Sequence, residues 1–231
     1  MNGVDRLLRL GDDALIAAQR LAEWHASSPE MEEDVALANI ALDQLGAARL
    51  FLTYAGESLG KDEDALAYLR DDREFRNCLL VELPNGDFAV TMAKLLFLSA
   101  YQLPLYTALA ARPDERLAAI AAKARKESAY HLDHGSQWTI RLGDGTEESH
   151  RRMQDAVDQI WPYTHELTAG EVSRTDWLAN VEPVLDEATL ARPADDGWAP
   201  DGGRSGVHTE HLSCLLAEMQ VVHRAYPGAR W

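Results

Sequence analysis

Cysteine is scarce in this chain. Cys78 and Cys214 are the two among 231 residues, far apart and outside any CxxC spacing. That excludes a zinc ribbon or a disulfide framework and fits a reducing compartment. Cationic residues are few as well, 22 Lys and Arg against 38 Asp and Glu, for a net charge of −16. Such a field repels phosphate backbones and anionic lipid, which argues against nucleic acid and membrane surfaces as partners and favours a basic protein patch. Long apolar runs are missing too. The opening MNGVDRLLRLGDDALI is interrupted by charge, unlike a signal peptide. The longest uncharged run, Leu95 to Ala111, carries Ser99, Gln102, Pro104 and Thr107 and stops short of a bilayer span. A cytoplasmic location is expected. The chain also lacks alternating β-branched runs, a Gly-rich phosphate loop, a GxSxG elbow and an HExxH pair.

What remains is helical. A first helix is expected from a cap at Asp12 to about Ser27, with Leu15, Ala18 and Ala22 on one face. Ser28-Pro29-Glu30 opens a second, with Glu30, Glu32, Glu33 and Asp34 at the positive end of its dipole. Its three-four spacing of Val35, Ala38, Leu42, Leu45 and Leu52 reads as the core stripe, ending near Gly56. After Pro84-Asn85-Gly86, Asp87 caps a third helix to about Ala111, with Lys94 its one formal charge and Pro104 an expected kink. Apolar on nearly every face, it reads as a central helix or one covered by a partner.

A fourth helix runs from Pro113-Asp114 to Gly143, its stripe Leu117, Ala121, Ala124, His131, Trp138 and Leu142. A fifth follows from about Glu147 to Leu167. Thr168 to Gly206 reads as an irregular excursion with at most a short helix at Asp186 to Leu190, before a last helix from Val207 to Tyr226. With no repeat and no composition break, residues 1–231 read as one all-α domain. The long link between helices two and three matches a four-helix bundle with one crossover, the ferritin-like topology, with additional C-terminal helices.

Bundles of that kind build di-iron sites from two Glu-x-x-His pairs and one further Glu on each of two other helices. Here the second helix offers Asp43 with Gly46 in place of histidine, and the fourth offers Glu127 with Tyr130 at i+3. His131 follows at i+4 on the same face, and His134 stands further on. Glu23 is the candidate carboxylate of the first helix, whereas the third has no acid between Asp87 and Pro113. The expected reading is a metal-free remnant in which Glu127 and His131 form a buried hydrogen-bonded pair. Lys94 would supply the missing positive charge by reaching Asp43, Glu127 or Glu23. Snorkelling to the surface is the alternative. His208-Thr209-Glu210-His211 lacks HExxH spacing, so Thr209 reads as a helix cap and the histidines as surface or interface groups. Arg70, Arg73 and Arg76 around Phe75 read as a solvated loop, or more sharply as a site for an anionic ligand or neighbour.

The run LRLGDDALIAAQRLAEWHASSPEMEEDVALANIALDQLGAARLFLTYA resembles the start of the C subunits of the bacterial phenylacetyl-CoA epoxidases, the multicomponent phenylacetyl-CoA monooxygenases. RDDREFRNCLLVELPNGDFA, KARKESAYHL, GVHTEHLSCLLAEMQ and the terminal PGARW fit as well. The resemblance implies a ferritin-like fold and a structural, catalytically silent member of the complex. It implies that the partner A subunit holds the di-iron centre and epoxidises the ring of phenylacetyl-CoA, and that a reductase subunit with flavin (FAD) and an iron–sulfur centre delivers electrons from NADPH. This chain itself is expected to hold no cofactor and to meet phenylacetyl-CoA only indirectly, through a segment of Glu74, Phe75, Arg76 and Asn77 near the substrate. A homodimer is a further expectation. His134 departs from the resemblance, and Ala169 to Arg192 fits it least. The alternatives are a di-iron oxygenase or an iron-binding bundle in its own right.

Overall fold

The computed structural model describes residues 3–229, and among them the secondary structure is helical with no strand. In chain order the helices are α1 (Gly3–Ala22), α2 (Met31–Leu59), α3 (Glu63–Tyr68), α4 (Leu79–Glu82), α5 (Phe88–Ala110), α6 (Glu115–Gly143), α7 (Glu147–Ile160), α8 (Thr164–Leu167), α9 (Arg174–Glu187) and α10 (Glu210–Ala225). Short 3₁₀ turns lie at Asp72–Glu74, Trp161–Tyr163 and Gly203–Ser205. Where the sequence has no visible boundary, the contacts divide the chain into two compact units, residues 1–84 with 202–231 and residues 85–201.

Local chemistry sets the helix ends. Asp87 accepts from the Val90 N–H at 3.1 Å and Asp114 from the Leu117 N–H at 3.0 Å, capping α5 and α6 as their sequences predict. Thr209 caps α10 as expected, accepting from the His211 N–H. Gly60, at φ 65° in the left-handed region, closes α2 beyond the expected stop. Other boundaries differ from expectation. Asp12 is no cap: α1 begins nine residues earlier, at Gly3, and Asp12 lies buried in its interior. α2 starts at Met31 after Glu30, which caps nothing with its side chain.

In the first unit α1 packs along α2, joined by a turn short enough to make them antiparallel neighbours, and α3 and α4 are clasped by α10. The buried side of α2 is Leu37, Ile40, Ala41, Gln44, Ala47, Ala48, Phe51 and Leu52. This corrects the predicted stripe. Leu52 is buried as expected, but Val35, Leu42 and Leu45 are 57%, 64% and 38% exposed, and Leu37, Ile40, Ala41 and Phe51 are buried instead.

In the second unit α5 packs on α6, α7 and α9 and is buried on nearly every face. Gly135 lets α6 approach closely: a Cβ there would stand 3.1 Å from the Leu96 nitrogen. α5 is therefore a core helix and leaves little apolar surface for a partner, contrary to one of the two readings its composition allowed. α2 and α5 are both long and apolar enough to cross a membrane by length and composition, and α5 spends that hydropathy inside the protein.

The excursion after Thr168 also differs from expectation. It holds a full helix, α9, whose Trp177, Val181 and Leu185 are buried. The Trp177 indole packs with Phe97 and Trp161 at centroid distances of 5.4 and 5.3 Å and donates to the Phe97 carbonyl at 2.9 Å. Pro104, inside α5, has no N–H for the Ala100 carbonyl. The Asn180 amide of α9 reaches that carbonyl at 3.4 Å instead. α9 thus forms because it completes α5.

Candidate functional site

Two sets of residues were candidates for chemistry. The first is the set of positions where a bundle would hold iron. Glu23 lies past the end of α1, exposed, in an ion pair with Arg20 at 2.7 Å. Asp43 is half-buried on α2, and Gly46 follows it with no side chain to offer. On α6, Glu127 is half-buried and ion-paired with Lys123 one turn back. Tyr130, at the i+3 position where a ligand belongs, is 77% exposed. His131 is buried and His134 half-buried.

Lys94 is buried, at 7% exposure, which disposes of the snorkelling alternative. An ammonium held there puts positive charge on the helix from which a di-iron bundle would draw a glutamate. These residues do not fit a di-iron centre: one position is glycine, one is solvent-facing tyrosine, α5 offers a lysine and no acid, and Glu127 is ion-paired with a lysine. Among the described residues no three His, Cys, Asp or Glu side chains converge as a metal ion requires.

The second place is a buried polar cluster in the first unit, built around the segment Arg70–Asn77. Asp12, fully buried, takes the Arg70 guanidinium in a two-pronged pair, with Oδ2 3.0 Å from Nη1. It also accepts from the Arg76 N–H at 2.8 Å. Burial pushes the Asp12 carboxyl up from its ordinary value, against the pull of Arg70 and the Arg76 N–H. Arg70 further donates to the Leu66 and Glu74 carbonyls and lies 4.2 Å over the buried Phe75 ring.

Asp13 does the same for the C-terminal segment. Arg204 donates to its two oxygens at 2.8 and 2.7 Å, and the Cys78 N–H adds a third bond at 2.8 Å. The fully buried Glu82 accepts from the Asn77 amide at 2.9 Å, the Thr209 N–H at 2.6 Å and His208 Nδ1 at 2.8 Å. His208 Nε2 faces the Phe75 carbonyl at 3.2 Å. An oxygen thus stands within hydrogen-bond distance of each ring nitrogen of His208. Gly206, at φ 82°, makes the approach possible, since a Cβ there would stand 2.3 Å from the Arg73 carbonyl oxygen.

This corrects the readings of the arginine-rich segment and of His208. The arginine-rich segment is not a solvated loop; it is anchored by Asp12 and Asp13. Of the four residues expected near substrate, Phe75 and Asn77 are completely buried and point inward. Glu74 is exposed and closes a capping box on the Asp71 N–H, while Arg76 folds back onto the Arg73 and Phe75 carbonyls. His208 is not a surface group; its side chain is 4% exposed against Glu82. Sequence reasoning missed Asp12, Asp13, Glu82 and Arg204 as a set. The adjacent acids at 12 and 13 were the available signal, but their arginine partners lie 58 and 191 positions away.

A polar surface cavity of about 590 Å³ lies beside this cluster, lined by Asp72, Arg73, Val207, Glu210 and Ser213 among others. Asp72 there is held below its ordinary value by the Ser213 hydroxyl and the Arg73 N–H. Asp12, Asp13 and Glu82 each make three hydrogen bonds within the cluster, to arginine, amide, backbone N–H or the His208 ring. The arrangement is suited to holding two ends of a chain together.

The family model described as Phenylacetic acid catabolic protein matches residues 2–231. The chain belongs to that family. It is also 47% identical, over 241 aligned positions covering 97% of both chains, to the C subunit of the 1,2-phenylacetyl-CoA epoxidase of Escherichia coli (strain K12). Membership places the chain in phenylacetate catabolism, as the resemblance implied. Its all-helical architecture agrees with the ferritin-like bundle expected of it.

Proposed function

We propose that this chain is the non-catalytic, structural subunit of a di-iron phenylacetyl-CoA 1,2-epoxidase complex, binding and orienting the catalytic A subunit in the cytoplasm. One observation carries the reading: where a bundle would gather iron donors, this chain has a glycine and an exposed tyrosine, and α5, which bears no acid, carries the buried Lys94. A framework with that substitution pattern keeps its helices and loses its Lewis acid. The likeness to the C subunit of an epoxidase supports it, because a relative that is one subunit among several works alongside the others. In this reading the di-iron centre belongs to the A subunit, the NADPH, FAD and iron–sulfur chemistry to a reductase subunit, and phenylacetyl-CoA meets this chain only through its partner.

The test loads the purified chain with ferrous iron, desalts it and measures iron per chain by plasma mass spectrometry, beside the catalytic A subunit treated alike. Iron near zero here, with phenylacetyl-CoA epoxidation appearing only when both subunits and reductase are combined, is the expected result. Two irons per chain with oxygen-dependent turnover by the isolated chain would overturn it.

A further inference from the structure

The exposed side of α2 is the most unusual surface of the first unit. Met31, Val35, Leu42 and Leu45 are 80%, 57%, 64% and 38% exposed, and with the half-buried Ala38 they recur at alternating spacings of four and three. That spacing lays them along one line of the helix, the a/d seam of a helix made to pair with another. From Met31 to Leu45 the line is about 21 Å long at 1.5 Å per residue. Beside it, between α1 and α2, runs a groove of about 290 Å³ lined mainly by Ala18, Ala22, Ala38, Ala41, Leu42 and Leu45. The small residues leave room for a neighbouring helix to approach closely. A continuous apolar line of this kind in water marks an interaction surface.

The charges beside the seam select the occupant. Between Met31 and Ala48 there is no lysine or arginine, while Glu32, Asp34 and Asp43 lie on its two sides. Asp34 accepts from the Ala26 N–H at 2.7 Å and stands 3.5 Å from His25, which also lines the groove. The first cation along α2, Arg49, is already engaged by Glu63 at 2.7 Å. A second copy would set this cation-free seam against itself, between chains that each carry −16. An anionic membrane is opposed by the same charges.

We propose that the α2 seam from Met31 to Leu45 seats a helix of a different subunit, apolar along its own seam and carrying lysine or arginine at its edges. The inference rests on the reading of this chain as a subunit of the epoxidase complex and names the surface that reading requires.

The test measures binding of the purified, full-length chain to the purified catalytic A subunit, with Leu42→Lys, Val35→Lys and, as a control for an equally exposed apolar residue on α10, Val221→Lys. All three sites are solvent-facing, and circular dichroism establishes that each variant is folded. Leu42→Lys is expected to weaken binding by about thirtyfold, the loss typical of a central interface residue, with Val221→Lys unchanged. Glu32→Lys is expected to slow association and flatten its salt dependence. A photo-crosslinking residue at position 42 should capture a lysine- or arginine-bearing helix of the A subunit.

Equal binding by wild type and the α2 variants would overturn the seam while leaving the structural-subunit reading intact. No binding of the A subunit by the folded wild type would overturn both. Crosslinks at position 42 between two copies of this chain would overturn the occupant in favour of a homodimer.

Discussion

The unit formed by residues 1–84 and 202–231 and the unit formed by residues 85–201 solve the same problem with different chemistry. In the second, rings close the core: Phe97, Trp161 and Trp177 pack mutually at 5.3–5.6 Å, and α5 contributes seventeen buried positions. In the first, charge closes it, with Asp12 on Arg70, Asp13 on Arg204 and Glu82 on His208. The difference follows from connectivity. Residues 85–201 are one continuous stretch, and its hydrogen bonds, such as Trp177 to the Phe97 carbonyl and Arg174 to Asp195, join segments within that stretch. The first unit must recruit a segment from the far end of the chain. Two-pronged pairs and backbone N–H bonds specify where Gly202–Ala225 lands in a way that apolar contact does not.

The largest expected effect attacks that charge closure. Asp12→Ala leaves the Arg70 guanidinium buried without its carboxylate and should destabilise the fold by about 3–5 kcal/mol in urea unfolding. The paired change Asp12→Leu with Arg70→Met removes both charges and should recover most of the loss. If the double variant is no more stable than Asp12→Ala, Asp12 and Arg70 are not coupled as their geometry requires.

The matching perturbation in the aromatic unit is smaller. Trp177→Phe keeps a ring against Phe97 and Trp161 but deletes the indole N–H that the Phe97 carbonyl accepts. A loss of about 1–2 kcal/mol is expected for that hydrogen bond and the missing ring area, again by urea unfolding. An unchanged stability would mean that the bond is made no better in the folded protein than with water.

Smaller again is the repair of Pro104. Asn180→Ala should lower stability by about 1 kcal/mol, the usual net value of one hydrogen bond. In a Pro104→Ala background, where residue 104 regains an N–H for the Ala100 carbonyl, the same change should have little effect. Additive losses in the double-mutant cycle would show that Asn180 does not substitute for the missing helix donor.

The contrast between the units also explains what the sequence made legible. Caps at Asp87, Asp114 and Thr209 were readable because each bonds an N–H two or three residues away. Asp12 looked the same by residue type, yet its partner is Arg70, and nothing local distinguishes a cap from a buried anion. α9 was hidden because Pro183 and the surrounding proline-, glycine- and acid-rich stretch oppose a helix, and only the rings of Phe97 and Trp161 make Trp177 decisive. On α2 the periodicity was real but ambiguous. Two apolar stripes share that helix, and spacing alone does not say which of them is left in solvent. Gly46 and Tyr130, at the positions where histidines were expected, are read from the sequence itself. Lys94 was recognised as the anomaly on its helix, whereas the engagement of Glu127 by Lys123 was not.

The smallest expected effect sets an exposed ion cluster against the buried ones. Glu148, in the first turn of α7, receives Arg151 at 2.9 Å and Arg152 at 2.6 Å. Hydrogen bonds from Arg151 and then Arg152 hold its carboxyl down, to about 2 against an ordinary 4.5. Because the folded value lies below the unfolded one, the unfolded chain binds the proton first. The contribution of Glu148 is complete above pH 4.5 and is lost as pH falls through about 2. Carbon-detected NMR of the Glu148 carboxyl should give a midpoint near 2, rising toward 4.5 in Arg151→Gln and rising less in Arg152→Gln. High salt should raise it as well, since solvent screens this cluster, while the buried Asp12–Arg70 pair should be far less sensitive. A wild-type midpoint at 4.5 would mean that the arginines do not hold Glu148 in solution, and would sharpen the distinction between charges that decorate a helix and charges that close a fold.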